Sequence, residues 1–181
     1  MPLSIAVLLG TGREGRQSTK VFSAIKKVFQ DKGVEVVSLD IKELDIPMFD
    51  DQPEKHSGVV RMCEAFKECD GLVIVTPEYN HSLPGPLKCA LDFAHKGELS
   101  GKPAAIVSVS KGPYAGVRMM LHLENVLLDM GTILTKLSLP TPNVIEFDEQ
   151  NPPVEWLEKA EMFAEKTIAF FNLIKVGKAT L

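Results

Sequence analysis

The sequence lacks the features that mark several common protein classes. Its three cysteines, Cys63, Cys69 and Cys89, form no C-x-x-C pair, which argues against a disulfide framework and against a zinc site. It has no run of basic residues, and its net charge of −4 gives no general attraction to nucleic acid or to an anionic membrane. No apolar run approaches the ~20 residues that a membrane helix needs. We therefore expect neither a nucleic-acid partner nor a membrane partner.

The histidines and the N-terminus also carry no specific signal. No two of the four histidines have metal-ligand spacing beside a third ligand, so we expect no metal site. Residues 3–9 are apolar, but neither a basic segment nor a small-residue cleavage site accompanies them, so they predict a first strand rather than a signal peptide. Isolated thiols and the missing targeting segment favour a reducing, cytoplasmic location.

The composition is that of a globular protein. Of the 181 residues, 45% are hydrophobic and 24% are charged. A chain of this length can bury a substantial core without disulfides or metals. We therefore expect one domain spanning residues 1–181.

Apolar runs alternate with amphipathic segments along the chain. Five β-rich runs predict strands buried on both faces, at residues 3–9, 34–39, 72–76, 104–109 and 132–139. A segment with helical periodicity follows each run. These segments lie around residues 21–29, around 59–66, from Pro84 to about His95, over 116–130, and from 156 to 171. For the first, the expected N-cap is Ser18 or Thr19 and the expected end is Gly33. This alternation predicts a parallel sheet with helices on both faces, whose ligands bind in the loops after strands one, three and four.

The first of these loops contains the spacing G-x-G-x-x-G, formed by Gly10, Gly12 and Gly15. In a Rossmann site the turn is tight, whereas here about eight residues precede the helix. The loop carries hydroxyl, amide and guanidinium groups, on Thr11, Arg13, Arg16, Gln17, Ser18 and Thr19. Such a set at a helix N-terminus suits a terminal phosphate dianion. Asp40, at the end of the second strand, keeps a Rossmann NAD(P) site open as an alternative, while the missing G-K-[ST] excludes a P-loop.

The loop after the third strand reads PEYNHSLPGPLK and is stiffened by three prolines. It presents an aromatic ring, an amide and backbone donors at a strand's carboxyl end, which suits a flat heteroaromatic ligand. The segment TPEYNHSLPGPLKCALD, together with LLGTGREGRQS, resembles the NADPH-dependent FMN reductase family of flavodoxin-like proteins, which includes quinone, azo-dye and chromate reductases. The resemblance extends from the first strand to the end of the fifth.

The resemblance implies a flavodoxin-like three-layer sandwich, with a five-stranded parallel sheet of order 2-1-3-4-5, FMN as cofactor and NADPH as cosubstrate. It implies that the first loop holds the FMN phosphate and that the second lines the flavin ring. The residues expected to bind the cofactor are Thr11, Arg13, Arg16, Gln17, Ser18, Pro77, Glu78, Tyr79, Asn80, Ser110, Lys111 and Gly112. The last three belong to SKGPYAGVR at residues 110–118, which matches the family pattern S-x-G-x-x-G-G-x-R except that Ala115 replaces a glycine.

The reaction implied is a hydride transfer from NADPH to flavin N5, followed by reduction of a quinone or similar acceptor in the same place, which gives ping-pong kinetics. His81 and Tyr114 are candidate substrate contacts, although His81 also fits an exposed loop residue without a role. The resemblance also favours a homodimer or homotetramer. Two alternatives stay open at this point: a non-enzymatic electron carrier like a flavodoxin, and a Rossmann dehydrogenase.

Overall fold

The computed structural model describes residues 2–94 and 96–179. The five strands are β1 (Ser4–Leu9), β2 (Glu35–Asp40), β3 (Gly71–Pro77), β4 (Pro103–Val109) and β5 (Ile133–Thr141). The helices are α1 (Ser18–Asp31), α2 (Ser57–Glu68), α3 (Gly85–Phe93), the short α4 (Lys96–Leu99), α5 (Val117–Asp129) and α6 (Val154–Ala179), with one 3-10 turn at Pro53–Lys55. The strands form one parallel sheet of order β2-β1-β3-β4-β5. The predicted flavodoxin-like fold class is confirmed.

The core consists of two apolar layers, one on each face of the sheet. Alternate residues of β1 face opposite sides: Ile5, Val7 and Leu9 pack with α1 and α6, whereas Ala6 and Leu8 pack with α2, α3 and α5. This explains why β1, β3 and β4 are apolar throughout, because both of their faces are buried. The expectation of burial on both faces was wrong for β2 and β5, which lie at the edges of the sheet and are partly exposed. The three-layer arrangement leaves the loops at the carboxyl ends of the strands as the place where polar groups can gather.

Several predicted boundaries differ from the structure. Helix α1 starts at Ser18, so neither Ser18 nor Thr19 is its N-cap, and the cap residue is Gln17, whose side chain makes no capping hydrogen bond. The Thr19 hydroxyl instead donates to the carbonyl of Arg16, 2.9 Å away. Helix α3 ends at Phe93, and its predicted end at His95 lies outside the described residues.

The carboxyl ends of β1, β3 and β4 lie side by side at one end of the sheet. Leu9 pairs with Asp40 on one side and with Val75 on the other, and Thr76 pairs with Ser108. Strand β2 lies on one side of β1, and β3 lies on its other side. The carboxyl ends of β1 and β3 therefore flank the topological switch point of the sheet, where α/β proteins bind ligands.

Among the helices of the described ranges, none is long and apolar enough to cross a membrane.

Candidate functional site

A cavity of about 590 Å³ opens at the carboxyl ends of β1, β3 and β4. It is formed by the loop before α1, the loop after β3, the loop after β4 and one residue that follows β5. The lining residues are Arg13, Arg16, Gln17, Ser18, Pro77, Glu78, Tyr79, Asn80, Val109, Ser110, Lys111 and Val144. The three loops that the sequence pattern singled out therefore meet around one space.

One end of the cavity has the properties of an anion site. The side chain of Ser18 lies in the first turn of α1 and is buried, and within the described part of the chain its hydroxyl has no hydrogen-bond partner. The N–H groups of a helix's first turn are also unpaired and carry a partial positive charge. Arg13 is exposed beside them, with its guanidinium 3.3 Å from the carbonyl of Gly15. A phosphate group fits this set of donors.

Arg16 has a different environment from the one expected for a phosphate ligand. Its guanidinium forms an ion pair with Asp40 at the end of β2 and donates to the carbonyl of Thr11 at 2.6 Å. Asp40 also accepts the backbone N–H of Lys42 at 2.9 Å. Arg16 thus lines the cavity, but its charge is balanced inside the protein. Asp40 therefore no longer favours a Rossmann site, because its carboxylate is bound to Arg16.

Thr11, which was expected at the phosphate, is fully buried and lies behind the cavity rather than in its lining. Its hydroxyl is 2.9 Å from the hydroxyl of Tyr79, and the backbone N–H of Arg13 donates to it at 3.4 Å. Thr11 therefore joins the phosphate end of the cavity to the loop that follows β3.

The loop after β3 contains a tight two-residue turn. Asn80 and His81 have positive φ angles of 48° and 64°, and Tyr79 and Ser82 exchange two backbone hydrogen bonds across them, at 2.9 and 3.0 Å. Positive φ at both central residues is the geometry of a type I′ turn. Asn80 lines the cavity, whereas His81 is exposed outside the lining.

The loop after β4 closes the opposite side of the cavity. Ser110 and Lys111 line it, whereas Gly112 does not, and the Gly112 carbonyl accepts the Ser110 hydroxyl at 2.7 Å. Ala115, which replaces a glycine of the family pattern, has a left-handed conformation with a φ of 51°. Tyr114 is exposed outside the lining, 5.6 Å from the guanidinium of Arg118, which lies over its ring.

Two lining residues were missed by the sequence analysis. Val109 is the last residue of β4, and Val144 lies in the loop after β5, where its backbone N–H donates to the carbonyl of Ser110 at 3.1 Å. Both are buried and give the cavity an apolar wall. The rule that ligands bind at the carboxyl ends of strands applies to the fifth strand as well, and this was the signal for Val144.

Near the site the pKa of Glu14 is lowered, and further away burial raises the pKa of two cysteines. Lys42 donates a hydrogen bond to the exposed carboxylate of Glu14 and holds the pKa of that carboxyl below its ordinary value. Burial raises the pKa of Cys63 to about 11 and also raises the pKa of Cys69, which disfavours their nucleophilic thiolate forms. Within residues 2–94 and 96–179, no group of three or more His, Cys, Asp and Glu side chains is placed to hold a metal ion.

The model of the family described as NADPH-dependent FMN reductase matches residues 3–142. The chain belongs to this family. The quinone reductase of Escherichia coli K12 is 35% identical over 137 residues, which is 70% of each protein. The 2-hydroxy-1,4-benzoquinone reductase of a Burkholderia species is 33% identical over 143 residues, which is 74% of this chain and 75% of that protein.

Solved structures agree with the fold. FerB, an NAD(P)H:(acceptor) oxidoreductase from Paracoccus denitrificans, superposes with a TM-score of 0.74 and 26% identity, covering 96% of this chain and 97% of its own. The NADH:FMN oxidoreductase EMOB superposes with a TM-score of 0.78 at 17% identity, covering 92% of this chain and 89% of its own.

Family membership decides between the three function classes. The protein is an oxidoreductase with FMN as cofactor and NAD(P)H as electron donor, of the FMN-dependent quinone reductase type. This finding favours the reductase over both the electron carrier and the Rossmann dehydrogenase. The unpaired Ser18 hydroxyl at the start of α1, independently of the family, fits the phosphate of FMN.

Proposed function

We propose that this protein is a ping-pong NAD(P)H:quinone reductase that uses the cavity at the carboxyl ends of β1, β3 and β4 for both half-reactions. The observation that carries the proposal is the continuity of the cavity, which joins an anion site at Ser18 to the stiff loop after β3. The named activities of the E. coli and Burkholderia relatives support a quinone of the benzoquinone class as the acceptor.

The phosphate of FMN is assigned to the start of α1. The unpaired Ser18 hydroxyl, the first-turn N–H groups, Arg13 and Gln17 provide the donors. Thr11 and Arg16 support these donors indirectly. The hydroxyl of Thr11 is hydrogen-bonded to Tyr79, and the guanidinium of Arg16 is ion-paired with Asp40. A monophosphate dianion therefore meets a helix terminus and the guanidinium of Arg13, which has no carboxylate partner among the described residues.

The ring of FMN is assigned to the other end of the cavity. The main chain of residues 77–80 with the side chains of Tyr79 and Asn80 forms one side, and Ser110 and Lys111 form the other, with Val109 and Val144 as the apolar wall. When bound here, FMN would supply the redox chemistry, which is hydride acceptance from the nicotinamide and delivery of the reducing equivalents to the acceptor. Lys111 places a positive charge beside the ring.

His81 and Tyr114 are proposed as contacts for the nucleotide or the acceptor. Both side chains are exposed. His81 directly follows the lining residue Asn80, and Tyr114 lies three positions after the lining residue Lys111. An aromatic face and an imidazole at the rim suit a flat substrate that enters from solvent.

A homodimer or homotetramer is proposed as the assembly, and the cytoplasm as the location, where reduced nucleotide is available. Leu121 and Leu128 on α5 are exposed by 63% and 56%, and large exposed apolar side chains on one helix favour a covering partner. Light scattering on the purified protein is expected to give a multiple of the 19.9 kDa chain mass. A monomer at micromolar concentration would contradict the assembly.

Steady-state kinetics test the mechanism. Initial rates measured at several NADPH and benzoquinone concentrations are expected to give parallel double-reciprocal lines, because the oxidised nucleotide leaves before the quinone binds. Intersecting lines would contradict the shared site, since they require both substrates to be bound together. Repeating the series with NADH determines which nucleotide has the higher kcat/KM.

A further inference from the structure

Glu78 makes an unusual connection at the edge of the cavity. It follows the last residue of β3, and its backbone N–H donates to the carbonyl of Val109 at 3.3 Å. One oxygen of its carboxylate accepts the backbone N–H groups of Arg118 and Met119, each at 3.2 Å. These two groups belong to the first turn of α5, so Glu78 caps this helix from a different segment of the chain.

Helix α5 depends on this cap because its own N-cap residue cannot provide one. That residue is Gly116, in the left-handed conformation with a φ of 76°, and it has no side chain. The N–H groups of a first helical turn need acceptors, and a carboxylate there also interacts favourably with the helix dipole. Gly116 also packs closely against the residues around the cap, since a Cβ at this position would lie 3.6 Å from the Cβ of Glu78 and 3.3 Å from that of Ser108.

The carboxylate of Glu78 is largely shielded from solvent and lies beside positively charged or protonatable groups. Its side chain is 15% exposed, with the guanidinium of Arg118 at 4.0 Å and the imidazole of His81 at 3.6 Å. Glu78 also lines the cavity. Its negative charge is therefore held at a fixed place next to the space assigned to the flavin ring.

A second bond ties the same loop to α5. The hydroxyl of Ser82 is 2.9 Å from Nδ1 of His122. Residues 77–82 are thus attached to α5 at both ends, through Glu78 and through Ser82. The loop after β3 is therefore bonded to the first two turns of α5, the helix that follows the loop after β4.

We propose that Glu78 is a positioning residue that fixes these two segments at the spacing the flavin ring needs and that its charge lowers the midpoint potential of the bound FMN. The inference rests on the proposed function. The cap orients the main-chain groups of residues 77–80 against those of 110–112 before the cofactor arrives, which reduces the ordering that binding requires. A fixed negative charge beside the ring opposes the extra negative charge of reduction, so the bound cofactor is a stronger reductant.

Two substitutions separate the hydrogen bonds from the charge. Glu78→Gln keeps an acceptor for the two N–H groups and removes the charge, whereas Glu78→Ala removes both. Glu155→Gln is the matched control, because Glu155 is the exposed acidic residue in the first turn of α6 and does not line the cavity. Each variant is examined for FMN dissociation constant, for the midpoint potential of the bound flavin and, without FMN, for hydrogen exchange at the amides of Arg118 and Met119.

Glu78→Ala is expected to speed exchange at both amides and to weaken FMN binding by on the order of tenfold, as for the loss of a charge-assisted hydrogen bond. Glu78→Gln is expected to restore most of the affinity and to raise the midpoint potential, and Glu155→Gln to change neither. Wild-type affinity and exchange in Glu78→Ala, or an unchanged potential in Glu78→Gln, would overturn the inference. A wild-type protein that binds no FMN would overturn the proposed function as well, and it is recognised before any variant is compared.

Discussion

Three non-glycine residues in the loops after β3 and β4, Asn80, His81 and Ala115, have left-handed backbone conformations. Each costs roughly 1–2 kcal/mol relative to an ordinary conformation, least for asparagine. The surrounding bonds hold them in place: Tyr79 and Ser82 close the first turn, and the carbonyl of Ala115 accepts the buried hydroxyl of Ser108 at 2.5 Å. The cavity is therefore shaped partly by strained residues that the rest of the structure determines.

Replacing Ala115 by glycine tests this strain. The left-handed conformation is free of strain for glycine, but glycine also makes the unfolded chain more flexible, so Ala115→Gly is expected to raise the free energy of unfolding by up to about 1 kcal/mol. Urea unfolding of the FMN-free protein measures it. The control is Ala24→Gly inside α1, which is expected to lower the free energy by about 1 kcal/mol. A loss in Ala115→Gly as large as in the control would show that position 115 is not strained.

Arg13 carries the prediction for the phosphate end of the cavity. Arg13→Ala is expected to weaken FMN binding by on the order of tenfold and to leave riboflavin binding unchanged, because riboflavin lacks the phosphate that the guanidinium binds. Fluorescence titration with both flavins measures the two affinities. Lys27→Ala, which removes one exposed positive charge from α1 outside the cavity, is the control. An equal loss for FMN and riboflavin would contradict a phosphate site at Arg13.

Residue roles were only partly predictable from the sequence. The loops that form the cavity could be located, because glycines, prolines and hydroxyl groups concentrate at the ends of apolar runs. The difference between Arg13 and Arg16 could not, since it depends on an ion pair with Asp40, which lies 24 positions further along the chain. Val144 was missed because an isolated valine in a loop carries no chemical signal of its own.

At the scale of elements, the glycines before α1 have three different roles. A Cβ at Gly10 would lie 2.7 Å from the Thr76 hydroxyl and 2.9 Å from a methyl of Leu87, so only glycine fits between β1, β3 and α3. Gly15 has a φ of 59°, and a Cβ at Gly12 would meet no protein atom within 4 Å. The G-x-G-x-x-G spacing therefore reflects packing and turn geometry.

The first and second of these glycines are expected to respond differently to substitution. Gly10→Ala is expected to lower the free energy of unfolding by about 1–3 kcal/mol, because the added methyl overpacks the core. Gly12→Ala, the matched variant two residues away, is expected to leave it within about 0.5 kcal/mol. Thermal unfolding without FMN compares the two, and equal losses would contradict the distinction.

Element types were more predictable than element ends. Apolar runs and helical periodicity located the five strands and the five longer helices of the described residues, because the inner strands are buried on both faces and the helices pack against the sheet. The predicted start of α1 was wrong by one or two residues, since a hydroxyl residue before a helix normally predicts a cap. Here the hydroxyl of Ser18 stays unpaired within the described residues, beside the space assigned to the phosphate. The local rule failed at the candidate site, where the proposed phosphate binding, and not capping, accounts for the residue.

At the scale of the whole molecule, the topology places the site. The order β2-β1-β3-β4-β5 makes the chain reverse direction across the sheet between β1 and β3, and the cavity opens there. The alternation of strands and helices predicted a parallel sheet, but the strand order came from the family resemblance, because alternation alone is compatible with several orders.

We propose that the cavity binds FMN and that NAD(P)H reduces the bound FMN for electron transfer to a quinone. The most direct test is the visible absorbance of the protein reconstituted with FMN and kept without oxygen. We expect NADPH to bleach the flavin band at least as fast as the enzyme turns over in the steady state. A stoichiometric amount of benzoquinone is then expected to restore the band. A protein that retains no FMN, or one whose bound FMN is bleached neither by NADPH nor by NADH, would contradict the account.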